Sequence, residues 1–283
     1  LCADGARGPN ILRVEISPQD ADYTLPLKSW KYHTDQDILP VWANVENDEK
    51  RTRLALKTWK KYHCCSQKGQ NLVGGFRVNQ VGSKNTTQKA GSDSTQTADD
   101  YSTQTADDYS AQKAGYNSTQ KAGFNSTQTA GFNSTQTADS HSTQTADSHS
   151  TQKAGYNSTQ KAGFNSTQTA DSHSTQTADS HSTQKAGYNS TQKADSHSTQ
   201  KAGFNSTQTV GNNSIQKAGD HSTQTVGNNS YQKAGLNTVQ ITRWNDQVAS
   251  RIIDVNTANQ WFHVENGQWR LCTEEEVVKL NSK

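Results

Sequence analysis

Apolar residues along this chain follow neither a helical period nor long alternation. Instead, a pattern of small and polar positions returns every eight residues from about Ser94 to Asn237, in units such as STQKAGYN, STQKAGFN and STQTADSH. Gln occupies the third slot at every eighth position from Gln88 to Gln240, with Gln80 one unit earlier and Leu72 in the same phase before it. Eight steps of about 100° do not return to one helix face, and Ser, Thr, Asn and Gly are weak helix formers. The piece STQTA suits a strand, and the next three residues, GYN-like or DSH-like, are residues of corners. A strand and a corner at a short fixed period predict a β-solenoid, in which each coil pairs with the coils above and below.

The fourth slot sets which residues face inward. It is Thr in units such as Thr97, Thr129 and Thr145 and Lys in units such as Lys113, Lys121 and Lys153, and a narrow interior cannot take an unpaired ammonium. Alternation then points the second and fourth slots out and the first, third and fifth (Ser, Gln, Ala) in. Stacked Gln amides bonding from coil to coil explain how so polar a core could hold. One octad is too short to close a coil. Taking every second unit separates a Thr-richer series from a Lys-richer one, which favours two octads per coil.

The expectation is an all-β chain. Residues 1–69 form a small N-terminal α+β or β cap or anchor, 70–245 a solenoid of about 11 two-octad coils roughly 50 Å long, and 246–283 a C-terminal hairpin cap. LPLKSWKYH (Leu25 to His33) recurs as LALKTWKKYH (Leu54 to His63), with Trp30 and Trp59 in phase. At the other end Asn266-Gly267 between alternating apolar residues marks a hairpin, and Thr273 before Glu274, Glu275 and Glu276 marks a helix start. Both are expected to cap the last coil.

Composition narrows the function. The chain is 29% hydrophobic, with 28 basic against 26 acidic residues. Such low hydrophobicity usually means disorder, but near-neutral charge and the regular repeat oppose that reading. Evenly mixed signs argue against nucleic acid as a partner, and no apolar run is long enough for a membrane-spanning helix. The chain starts at Leu1 and contains no Met, which suggests a removed signal segment or a fragment. Cys2, Cys64, Cys65 and Cys272 lack a metal-type spacing, so no metal or cofactor is expected. Corners with His141, His149, His173, His181 and His197 are either solvated or a weak metal ladder, with His181 beside His197 in a two-octad coil. The corner rings Tyr116, Tyr156 and Tyr188, with Phe124, Phe132, Phe164 and Phe204, either pack copies of the chain side by side or stack along one edge.

On the Thr-richer face, pairs Thr95/Thr97, Thr127/Thr129, Thr143/Thr145, Thr175/Thr177, Thr207/Thr209 and Thr223/Thr225 present Thr-x-Thr outward, about 6.8 Å apart within a strand and about 4.8 Å between coils. A flat hydroxyl and methyl array has no cleft and no converging titratable groups, so it suits ordering of water and not catalysis. The alternative is that Thr is simply a good exposed strand residue.

AGYNSTQK, AGFNSTQT and STQTA resemble the octapeptide repeats of bacterial ice-nucleation proteins, whose consensus runs AGYGSTxT. The resemblance covers about 160 residues, with period, Gly, aromatic, Ser-Thr and Ala in phase. It implies two octads per coil, ice or ordered water as the partner of the Thr rows, and assembly into homo-oligomers or filaments through C-terminal coils where basic residues replace Thr. Lys201, Lys217 and Lys233 match those coils. It also implies an extracellular or outer-membrane surface location, with attachment to the bacterial surface. The chain departs from the family in carrying Lys at half of the fourth slots, Gln at every third slot, and a short array. The other function class is a structural or adhesive solenoid that forms filaments or binds polysaccharide. An enzyme is not expected.

Overall fold

The computed structural model describes residues 14–16, 30–32, 63–65, 71–245 and 247–281. The chain divides into two compact units, Leu1–Cys64 and Cys65–Lys283. In the first, Val14–Ile16 pairs antiparallel with Trp30–Tyr32; apart from these and the strand His63–Cys65, the expected N-terminal cap, Trp59 included, lies outside the described residues.

The second unit is a β-solenoid. Short strands alternate every octad between two parallel sheets. The first sheet runs from Asn71–Val73 through Thr87–Lys89 to Ser230–Lys233, and the second from Asn79–Val81 through Thr95–Thr97 to Val239–Trp244. Partners lie two octads apart in the chain, as in Gln128 opposite Gln144 and Thr129 opposite Thr145. The array therefore makes 11 coils of two octads each.

Burial follows the slots as the Lys/Thr tolerance requires. First-slot Ser, third-slot Gln and fifth-slot Ala or Val are buried, with every Gln from Gln80 to Gln240 at most 2% exposed. A buried amide must use its donors and acceptor, and each Gln from Gln96 to Gln224 does. Gln144 Nε2 donates to Gln128 Oε1 (2.8 Å) and across the coil to the Lys153 carbonyl (2.9 Å), while its Oε1 accepts from Gln160 Nε2 (2.8 Å). The two Gln ladders thus lock each coil to the one before it and also tie the opposed sheets together. Ser joins in: the Ser142 N–H donates to Ser158 Oγ (3.2 Å), and Ser142 Oγ accepts from the Ser126 N–H (3.2 Å). At about 1 kcal/mol net per bond, such networks replace the apolar burial the composition lacks.

The corners explain the last three slots. The eighth-slot residue has positive φ in every octad, for example Asn117 (52°), Tyr101 (57°) and His141 (61°), a conformation that Asn, Asp and His adopt more readily than most residues. Gly sits two residues earlier, where coils approach closely. A Cβ on Gly155 would lie 2.7 Å from Ser140 Oγ and 2.9 Å from its backbone nitrogen. The Ser itself bonds forward, Ser140 Oγ accepting the Tyr156 N–H at 3.1 Å.

The C-terminal end closes both ladders. Because each Gln donates toward the N-terminal side, the last residues, Gln232 and Gln240, would present Oε1 atoms without donors. Strand Gln247–Ile252 folds antiparallel onto the second sheet and brings Arg251 Nε to Gln240 Oε1 at 2.8 Å, with Nη2 on the same oxygen. The hairpin Trp261–Glu265/Gln268–Cys272 folds onto the first sheet and brings Trp269 Nε1 to Gln232 Oε1 at 3.1 Å. Arg251 stacks 3.5 Å from the Phe262 ring centroid, and burial pushes its guanidinium down to about 10, so it stays charged at neutral pH. The hairpin turns at Asn266-Gly267, both with positive φ (47° and 74°), as expected.

Helix α1 (Glu274–Asn281) opens where expected, with Glu276 Oε2 accepting the Thr273 N–H (2.8 Å) and Thr273 Oγ1 accepting the Glu276 N–H (3.4 Å). Val277 clusters with Ile215 and Tyr231, residues of the second, outward slot. That cover is the physical reason Ile and Tyr replace Thr at these two positions.

His263, in the hairpin, is buried and touches Asn229 Oδ1 through Nε2 at 2.9 Å. Burial, then Arg270, lowers its pKa below the usual imidazole value, against the opposing pull of Glu265 and Glu276. A depressed folded pKa means the unfolded chain takes up the proton first, so stability is lost as pH falls below about 6.5. Melting from about pH 7.5 to about pH 5 should show that decline, and His263→Gln should flatten it; an equal slope in both proteins assigns it elsewhere.

Candidate water-ordering surface

The two solenoid faces carry the outward slots, and both are narrow, flat and stiffly backed by the Gln ladders. The second sheet holds the Thr-richer series. Its register puts Thr127 beside Thr143 and Thr129 beside Thr145, and Thr207 beside Thr223 and Thr209 beside Thr225. In the first block all four Thr are exposed. Thr95/Thr97 and Thr175/Thr177 stand alone, because Ala111/Lys113, Thr159/Lys161 and Thr191/Lys193 occupy the coils beside them. Where longer neighbours flank it on both sides, the fourth-slot Thr is half-buried, as at Thr97 and Thr177. The unbroken Thr lattice is therefore two coils deep, twice over.

The first sheet carries the Lys-richer series. From Lys89 to Lys185 its fourth slot alternates Lys with Thr coil by coil: Lys89, Thr105, Lys121, Thr137, Lys153, Thr169, Lys185. Thr103/Thr105, Thr135/Thr137 and Thr167/Thr169 are thus further Thr-x-Thr pairs, each isolated between Lys coils. At the C-terminal end Lys201, Lys217 and Lys233 are adjacent, and Lys185 extends them to four. The same two-octad count that gave the other three would have found Lys185.

The ring-bearing corners form two columns, not one. Tyr116 lies on the corner after the second sheet, whereas Tyr156 and Tyr188 follow the first. On the latter edge Tyr109, Phe124, His141, Tyr156, His173 and Tyr188 make an unbroken ladder, centroids 4.9 to 5.8 Å apart. On the other edge Tyr116 meets Tyr101 at 4.8 Å, and Phe132, His149, Phe164, His181 and His197 continue the column. From Phe124 to Tyr188 slot-seven and slot-eight rings of successive coils interleave, matching the alternation of AG-aromatic-N and ADSH octads on that edge. His181 and His197 stack at 4.8 Å with planes 8° apart. Parallel planes aim their nitrogens side by side, not toward a common point. Among the described residues no three His, Cys, Asp or Glu converge as a metal set. Of the cysteines with described surroundings, Cys272 is a free thiol whose pKa burial raises.

The fold defines the chain as a two-octad β-solenoid protein. No family model, curated protein or solved structure matches it.

Proposed function

We propose that the protein interacts with ice, ordering water on the outward Thr-x-Thr rows of the second sheet, and that it acts outside the cell or at the bacterial outer surface. The observation that carries this reading is the in-register, exposed block Thr127, Thr129, Thr143 and Thr145 on a face held flat by the buried Gln ladder. Hydroxyls and methyls fixed at strand spacings pre-order water without first having to be ordered themselves. Since each block is only two coils deep, one chain favours binding to existing ice. Nucleation requires side-by-side copies, for which the ring columns carrying Tyr116, Tyr156 and Tyr188 offer an edge.

Droplet freezing and thermal hysteresis test this together. Thr143→Glu with Thr145→Glu should bring both activities toward the buffer control without unfolding the solenoid, because outward slots elsewhere accept Lys. If the parent protein already matches the buffer, or the double variant keeps full activity, the ice reading fails. The second reading, a structural or adhesive solenoid, is favoured by the adjacent Lys residues of the first sheet; filaments by negative stain without freezing activity would support it.

A further inference from the structure

Charge on the solenoid is segregated. The outward slots from Asn71 to Ile241 contain Lys and no acidic residue, while the Asp residues stand in corners. On the Lys-richer side, from Lys89 to Lys185, the two signs are interleaved. Lys89, Lys121, Lys153 and Lys185 alternate with Asp107, Asp139 and Asp171, which sit two residues beyond the fourth slot in the intervening Thr coils, all exposed. Each Lys there has an Asp in the coil above or below it.

Beyond Lys185, which still has Asp171 in the coil before it, that alternation stops. The sixth slot becomes Gly187, Gly203, Gly219 and Gly235, while the fourth slot becomes Lys185, Lys201, Lys217 and Lys233 in consecutive coils. Asp220, the remaining acid on that corner, has its Oδ1 accepting the Leu236 N–H at 2.8 Å. Asp179 and Asp195 lie on the opposite corner. Among the described residues neither these four Lys nor Lys89, Lys121 and Lys153 form an ion pair, so the two stretches differ in where Asp stands and not in salt bridges; the acid of α1 nearest this face, Glu276, acts on Tyr231 in the strand of Lys233. Lys233 leans on the Trp261 ring, 5.6 Å from its centroid.

Like charges directly opposite on neighbouring strands destabilise a sheet. The fold does not demand Lys here, since Thr137 and Thr169 fill the same slot of the same sheet. An anion outside the chain would relieve the repulsion. We infer that Lys185, Lys201, Lys217 and Lys233 form a binding site for a linear polycarboxylated polysaccharide lying along the solenoid axis, with one carboxylate per coil.

The spacing selects this ligand. Ammoniums recur about every 4.8 Å, so the partner must carry anions at a similar step in a straight line. A second copy fits poorly, because the outward Asp residues beside the Lys column, Asp107, Asp139 and Asp171, recur only every second coil. The face has no groove to track a nucleic-acid backbone. Thr183 and Thr199, about 6.8 Å from Lys185 and Lys201 on the same strands, supply hydroxyls for the hydroxyls of a sugar chain. The site lies on the other sheet from the proposed ice-facing rows and does not depend on that reading.

The test is titration of the full chain with a short alginate oligomer, beside neutral dextran and a single-stranded DNA oligomer. Alginate should bind with an affinity that falls steeply with salt, a log–log slope of about −3 for four displaced counterions, and dextran should not bind. Lys201→Thr with Lys217→Thr should weaken binding at least ~10-fold. Lys121→Thr with Lys153→Thr removes equal charge from the compensated region and should leave binding within about twofold. Equal weakening by both pairs, absence of salt-dependent alginate binding, or DNA binding as tightly as alginate overturns the assignment. Freezing and hysteresis measured on the same variants report separately on the second sheet.

Discussion

Replacing Gln144 by alanine should destabilise the solenoid by about 3–5 kcal/mol and divide its melting into two transitions. Three groups lose their partners: the Gln160 amide nitrogen keeps only one acceptor, the Gln128 oxygen loses its donor, and the Lys153 carbonyl loses its cross-coil bond. The two Gln groups have no solvent to turn to, as Gln128 and Gln160 are both 0% exposed, while the Lys153 carbonyl keeps the Ala138 N–H. Each buried group left unpaired costs about 1–3 kcal/mol, and the void adds to that. Coils contact only their neighbours, so a weakened junction at the middle of the array uncouples the two halves instead of softening the whole. Thr145→Lys, one residue away but outward, is the control and should leave melting nearly unchanged, since Lys already occupies that slot in other coils. Calorimetry with amide hydrogen exchange on the two halves distinguishes the outcomes. A single transition for Gln144→Ala within about 2 °C of the parent would mean that the ladder is not what holds the coils together.

That dependence on Gln was legible before any coordinates, and it is instructive why. A residue that never varies over so many repeats, followed by a slot that tolerates Lys, has to be inside, and an amide inside has to bond to its own kind along the axis. The coil length was legible through the uneven split of Thr and Lys between alternate octads. What the octad does not reveal is the second donation of each Gln to a carbonyl in the following strand, as from Gln144 to Lys153, because that bond depends on how far apart the opposed sheets lie. The pairing of corners was also hidden. Gly155 over Ser140 is a relation between residues of successive coils, invisible within one repeat. Of the proposed surface, the Thr pairs and their register follow from period alone. Half-burial of Thr97 and Thr177 and the two-column arrangement of the rings depend on which coil lies next to which. Ile215 and Tyr231 broke the Thr pattern in the sequence, but their reason lay in the C-terminal helix, far along the chain from both.

The second large effect is expected at the C-terminal end, where Arg251 and Trp269 finish what Gln240 and Gln232 leave open. Trp269→Phe keeps most of the ring's packing against Val264 and its cluster but removes the donor to Gln232 Oε1, leaving a buried acceptor unpaired at about 1–3 kcal/mol. Arg251→Met goes further: it strips both donors from Gln240 Oε1 and the stack on Phe262. Because a solenoid loses order from an uncapped end, neither change should lower stability evenly. Hydrogen exchange should quicken first in the last coils, around Thr223–Val226 and Ser230–Lys233, and fade toward the parent rate near Thr127–Ala130. The double variant should fall short of the sum if one hairpin supports the other, since Arg251 lies over both Phe262 and Trp269. An open end also exposes strand edges to other copies, so the Arg251→Met protein should aggregate at concentrations the parent tolerates, read by light scattering. Uniform loss of protection along the array, or unchanged exchange in the last coils, would show that the ladders need no terminal donor.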